Sequence, residues 1–208
     1  MNIISIVKYV SVFFLVVIGI TFLMYPLVME STSRIEFFLV TISISELVGI
    51  SIFLFLIRRL GITLADLGFH KPTSITSIIL AIFIATIYSL IELQIPQVLQ
   101  YAFEINFLKC IAITTAIIAG FSEEVVFRGF IITQSRTYGT LKSSLLSASL
   151  FGVYHITWGL GGVLGTFLLG LGLAYVFNSS KSIVPCIISH ALIDSLIEPG
   201  LVISFFHL

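Results

Sequence analysis

The chain has 208 residues, 58% of them hydrophobic and only 10% charged, and its mean hydropathy is +1.19. A soluble domain is about 25% charged and 45–50% apolar, so a water-soluble enzyme or binding module is excluded. Basic and acidic residues, 10 of each, cancel to a formal net charge of zero, which leaves no basic surface for nucleic acid.

What remains is an all-α, polytopic transmembrane helix bundle of about seven spans, with eight as the upper count. Lys8 precedes a long apolar run that lacks a small-x-small cleavage site and ends at Pro26-Leu27-Val28-Met29, so it is read as a retained first span, Tyr9 to Val28. The second span runs from Ile35 to Ile57, with Glu36 at its start and Glu46 near its middle. Glu46 has no partner in its own sequence neighbourhood; it either hydrogen-bonds another helix or contributes to a polar cavity. Arg58-Arg59 closes this span, and Thr63 is read as the cap of a brief interfacial helix that exits through Gly68 and Pro72.

The third span covers Ser74 to Leu93, and the linker around Pro96, carrying Glu92 and Glu104, is expected to lie along the surface. The fourth begins near Phe107 and runs to Gln134, the fifth covers Leu141 to Trp158, and the sixth, Leu160 to Phe177, is rich in glycine. Its Gly161 and Gly165 form a G-x-x-x-G pair that permits close helix approach. The seventh covers Ile183 to Ile197, where Pro199-Gly200 is read as a break before a short apolar tail, the alternatives being that the tail re-enters or that the span continues past Pro199. The chain thus divides into N-terminal spans over 1–106, a core over 107–198 and a tail over 199–208. With the N-terminus inside, Lys8, Arg58, Arg59, Lys71, Arg136, Lys142 and Lys181 fall on the inner side and only Arg34 and Lys109 on the outer, which places the N-terminus in the cytoplasm. Cys110 and Cys186 form no C-x-x-C pair and are read as small buried hydrophobes.

Beyond residue 110 the spans still hold Glu123, Glu124, Arg128, His155, His190 and Asp194. Each charge would cost about 2.5–3.5 kcal/mol at the centre of a membrane helix, so partners are required. Glu124 and Arg128 are i, i+4 neighbours in the favourable acid-first order. That leaves Glu123 about 100° around the helix, facing elsewhere. Phe151 and His155 share the same spacing, as do His190 and Asp194, so an aromatic ring backs one histidine and a carboxylate orients the other. An unpaired carboxylate with two histidines and a further acid on neighbouring helices is the inventory of a hydrolytic or proton-handling site.

Glu123-Glu124-Val125-Val126-Phe127-Arg128-Gly129 matches the E-E-x-x-F-R-G motif of the intramembrane proteases that include the eukaryotic CAAX prenyl endopeptidase, a family known as CPBP or Abi. Phe151-Gly152-Val153-Tyr154-His155 matches its F-x-x-x-H motif, and His190-Ala191-Leu192-Ile193-Asp194 its H-x-x-x-N/D motif. The glycine-rich sixth span, Ser182-Ile183-Val184-Pro185 and Leu67-Gly68-Phe69 also resemble the family. The resemblance covers residues 107 to 195.

It implies a multi-pass enzyme of the cell membrane whose partners are the bilayer and a peptide or membrane-protein substrate. Glu123 would be the general base, assisted by His155; His190 with Asp194 would bind the scissile carbonyl or stabilise the oxyanion; Glu124, Arg128 and Phe151 would support them. Many members have asparagine where Asp194 stands. An ionised aspartate cannot donate to an oxyanion, so Asp194 is expected to turn towards His190. No cofactor is favoured, and the water would be metal-free; the alternative is zinc held by Glu123, His155 and His190. Small size without an accessory domain suggests a prokaryotic member acting on a bacteriocin or leader peptide or in self-immunity. The competing readings are a non-catalytic immunity or scaffold protein and a proton-coupled transporter, the latter disfavoured by the lack of an internal repeat.

Overall fold

A computed structural model describes residues 1–207, and every regular element in it is helical. The first helix, α1 (Ile3–Glu30), starts at Asn2, whose side chain accepts from the Ser5 N–H, and runs antiparallel to α2 (Arg34–Arg58). Then come α3 (Ile75–Glu92), capped by Ser74, and the short α4 (Pro96–Ala102). A rod follows: α5 (Phe107–Glu124), a π-helical segment (Val125–Ile132) and the single turn α6 (Thr133–Ser135). The remaining helices are α7 (Thr140–Tyr154), α8 (Gly159–Ser180) and α9 (Val184–His207).

Six of the seven predicted spans coincide with helical stretches long and apolar enough to cross a membrane. The exception is the fifth predicted span, where α7 has 15 residues. At 1.5 Å per residue that is about 22 Å, short of the roughly 30 Å hydrocarbon core; a 3₁₀ turn (Ile156–Trp158) carries the path onward. Outward faces are apolar, with Leu15, Phe22, Leu23, Ile79 and Leu168 largely exposed, as suits a bundle whose solvent is lipid. The protein is a multi-pass membrane protein.

The π segment is the buried axis, with all eight of its residues enclosed. A π turn widens the helix and loosens its carbonyl pairing, and hydroxyls take up the carbonyls: Ser147 donates to Phe127 O at 2.7 Å, Thr133 to Gly129 O at 2.5 Å and Ser135 to Ile131 O at 2.6 Å. Gly129 leaves room for the 64–69 turn, since a Cβ there would lie 3.0 Å from Leu67 O.

Several expectations are corrected. No helix forms between Thr63 and Pro72. Its N–H and hydroxyl both donate to Asp66 Oδ2, at 2.8 and 2.6 Å, and hold a turn. These bonds lower the Asp66 pKa from its ordinary value. The linker after Pro96 does lie along the surface, as the short helix α4, which buries only Val98 and Ala102, against α9. Pro199-Gly200 does not end the last helix. α9 runs through to His207, and Gly200 is where α4 crosses it, a Cβ there lying 2.4 Å from Val98 Cα.

Gly161 faces open space, and Gly165 meets only Tyr88, so the G-x-x-x-G pair makes no helix–helix seam. Close approach between α7 and α8 uses Gly152 and Gly170 instead, which lie against Val163 O and Ala148. Cys186 is buried, its thiol 3.4 Å from Leu173 O, whereas Cys110 is exposed.

Candidate active site

The three motif helices converge. α5 ends at Glu124 inside the bundle, α7 delivers Phe151 and His155 at its C-terminus, and α9 packs along α5 so that His190 and Asp194 face the acids. Gly120 permits this last contact, because a Cβ there would lie 3.1 Å from Ala191 N.

Glu124 and Arg128 pair at 2.9 Å between Oε1 and Nη1, both side chains fully buried. The contact is a charge pair without aligned hydrogen bonding, for no guanidinium nitrogen has a hydrogen-bond partner among the described residues. The guanidinium carbon also lies 4.3 Å from the centroid of the Phe151 ring, close enough for a cation–π contact. Glu124 has a second task that spacing along one helix could not reveal: its Oε1 is 2.8 Å from Nδ1 of His190.

Glu123 points away from that pair, as the helical offset requires. It is 6% exposed, and its Oε2 has no hydrogen-bond partner. That oxygen lies 3.8 Å from Nε2 of His155 and 3.8 Å from Nε2 of His190. These separations exceed a direct hydrogen bond and leave the oxygen facing both rings across a narrow gap.

The rings are held differently. Nδ1 of His155 lies 2.9 Å from the Phe151 carbonyl. A carbonyl only accepts, so Nδ1 carries the proton and in the neutral ring Nε2 keeps its lone pair, aimed at Glu123. His190 meets Glu124 through Nδ1 and Asp194 Oδ2 through Nε2, the latter at 3.2 Å. Asp194 has turned towards His190, as its spacing implied. Phe151 sits edge-on to both imidazoles, with ring centroids 4.7 Å from His155 and 5.7 Å from His190.

Glu123, His155, His190 and Asp194 line one cavity of about 530 Å³, whose walls are mostly apolar and come from α1, α2, α3, α8 and α9 as well. The cavity also receives side chains that the motif reading passed over: Glu46, Tyr154, Tyr88, Glu92 and Glu198. Glu46 is 1% exposed and accepts from the hydroxyls of Ser122 and Tyr154. It therefore bonds two other helices and also lines the cavity. Glu198 stands four residues after Asp194 on the same face of α9, a spacing that could have flagged it. Among the described residues no three His, Cys, Asp or Glu side chains are grouped to hold a metal ion.

Residues 105–196 match the family model for type II CAAX prenyl endopeptidase, Rce1-like. No curated protein and no solved structure matches the chain. The matched stretch begins just before α5 and ends just after Asp194, so it takes in all three motifs and leaves out α1 to α4.

Proposed function

From the match of residues 105–196 to the Rce1-like family model, we propose that this chain is a CPBP-type intramembrane endopeptidase that cuts a membrane-associated peptide or protein terminus with a water activated by Glu123. The observation that carries the reading is the buried, unpartnered Oε2 of Glu123 facing the Nε2 atoms of His155 and His190 within one cavity.

A water between Glu123 and His155 gives one proton to Oε2 of Glu123, while its second hydrogen is steadied by the lone pair on Nε2 of His155. The water oxygen bonds to the scissile carbonyl carbon, and the carbonyl π electrons move onto the oxygen. His190 meets that developing charge through Nε2–H, the ring being held by Glu124 on one side and Asp194 on the other. Collapse re-forms the carbonyl and breaks the C–N bond, and the departing nitrogen takes the proton that Glu123 had received. The products are a carboxylic acid and an amine, and Glu123 is regenerated.

This chemistry is read without a metal. Zinc held by Glu123, His155 and His190 would need a lone pair on each ring, yet His190 presents both nitrogens to carboxylates. The resemblance extends the proposal to a bacterial cell membrane and to bacteriocin, leader-peptide or self-immunity substrates.

The test compares the peptides present in membranes of cells carrying the intact chain and Glu123→Ala. A cleaved species present with the first and absent with the second is expected. A variant that accumulates normally and yields the same peptides overturns the reading.

A further inference from the structure

We infer that Glu46, which lies outside the stretch matching the family, is a positioning residue that sets the separation of Glu123 and His155; the inference rests on the peptidase reading above. Its two carboxylate oxygens reach two different helices. Oε2 accepts from the Ser122 hydroxyl on α5, and Oε1 accepts from the Tyr154 hydroxyl on α7 at 2.5 Å. Ser122 immediately precedes Glu123, and Tyr154 immediately precedes His155. One buried carboxylate on α2 therefore ties together the two backbones that carry the general base and its histidine, one residue away from each.

The two legs of this tie are unequal. The Ser122 hydroxyl has other acceptors on its own helix, Ile118 O at 3.0 Å and Ala119 O at 3.2 Å. The Tyr154 hydroxyl has Glu46. Its ring is wedged among Phe13, Phe14 and Phe127, with centroids 5.9, 4.7 and 5.7 Å away. Losing the Glu46 leg lets the end of α7 shift, and His155 goes with it. Misplacing a catalytic group by about 1 Å can lower a rate about 10²-fold, whereas a mere helix clamp would alter stability and leave the turnover of folded molecules intact.

The test uses the full chain purified into lipid nanodiscs. Its probe is a quenched fluorescent peptide carrying the cleavage site identified by comparing membranes that hold the intact chain and Glu123→Ala. Glu46→Gln keeps the side-chain length: its amide oxygen accepts from Ser122 and its NH₂ donates to the Tyr154 oxygen. It should keep kcat within about threefold. Glu46→Asp keeps the charge but is one methylene short of both hydroxyls, and should lose about tenfold or more in kcat with KM within about twofold.

Tyr154→Phe keeps the ring packing and removes only the hydroxyl. It should lose kcat alike, and should cost nothing further when added to Glu46→Asp. Should Glu46→Asp fail to fold, Tyr154→Phe carries the same question. Full kcat in Glu46→Asp or Tyr154→Phe overturns the inference, as does a raised KM at unchanged kcat, which would make Glu46 a substrate contact. Glu123→Ala is measured alongside. If it is inactive while the Glu46 and Tyr154 variants are fully active, the positioning role alone fails. If it cleaves like the intact chain, or the intact chain leaves the probe uncut, the peptidase reading is what fails.

Discussion

Nδ1 of His190 donates to the same Glu124 oxygen that meets Arg128, at 2.8 Å and 2.9 Å respectively. The second acid of the pair at 123–124 therefore couples a buried cation on its own rod to a histidine on α9. Removing one partner of a buried pair strands the other charge, at about 3–5 kcal/mol. Glu124→Ala should accordingly lower the thermal midpoint in detergent sharply and abolish cleavage through the freed His190 ring. Adding Arg128→Met, which removes the stranded charge, should restore much of the stability and none of the activity. A single variant as stable as the parent would show that the pair does not hold the helix.

Glu123 calls for the opposite pattern. Its Oε2 makes no hydrogen bond and is almost wholly enclosed, so neutralising it removes no bond made by that oxygen and relieves the cost of a buried charge. Glu123→Gln should melt at or above the parent temperature yet turn over at least about 10²-fold more slowly, the usual worth of a general base. His155→Ala and His190→Ala should be as slow. A parallel loss of stability and rate in Glu123→Gln would point to a structural acid.

Spacing along single helices made the i, i+4 pairs legible, because residues four apart share a face wherever the helix goes. Glu124–Arg128, Phe151–His155 and His190–Asp194 all stand as read. Contacts between helices leave no such trace. Nothing in the sequence links Glu46 with Ser122 and Tyr154, 76 and 108 residues away, or gives Glu124 a second partner on α9. Pro199 misled for a related reason. A proline removes one intrahelical bond, but neighbouring helices can sustain the rod through it, and α4 packs against the residue that follows.

That crossing makes a stability prediction with its own control. A Cβ on Gly200 would sit 2.4 Å from Val98 Cα and 2.7 Å from Gln97 O, both backbone atoms that cannot swing aside. Gly200→Ala should cost about 1–3 kcal/mol, the range for overpacking. Gly152→Ala, whose Cβ would meet Val163 O at 2.8 Å, should behave alike. Gly161→Ala, with nothing within 4 Å, should cost nothing and gain slightly from helix propensity. Thermal unfolding in one detergent ranks the three, and a Gly161 variant as damaged as the Gly200 variant would contradict the packing described.

The metal-free reading rests on what each imidazole already bonds. His155 has one free lone pair, on Nε2, while both nitrogens of His190 face carboxylates at 2.8 and 3.2 Å. A zinc ion held by Glu123, His155 and His190 would have to take Nε2 of His190 from Asp194, and its ligands would also need to lose their protons. Cleavage by purified protein should therefore persist after prolonged exposure to phenanthroline and EDTA, with no gain on adding zinc, and metal analysis of active preparations should find well under one equivalent. Loss of activity on chelation that zinc restores, together with stoichiometric zinc lost in His155→Ala, would replace the glutamate-activated water with a metal-bound one.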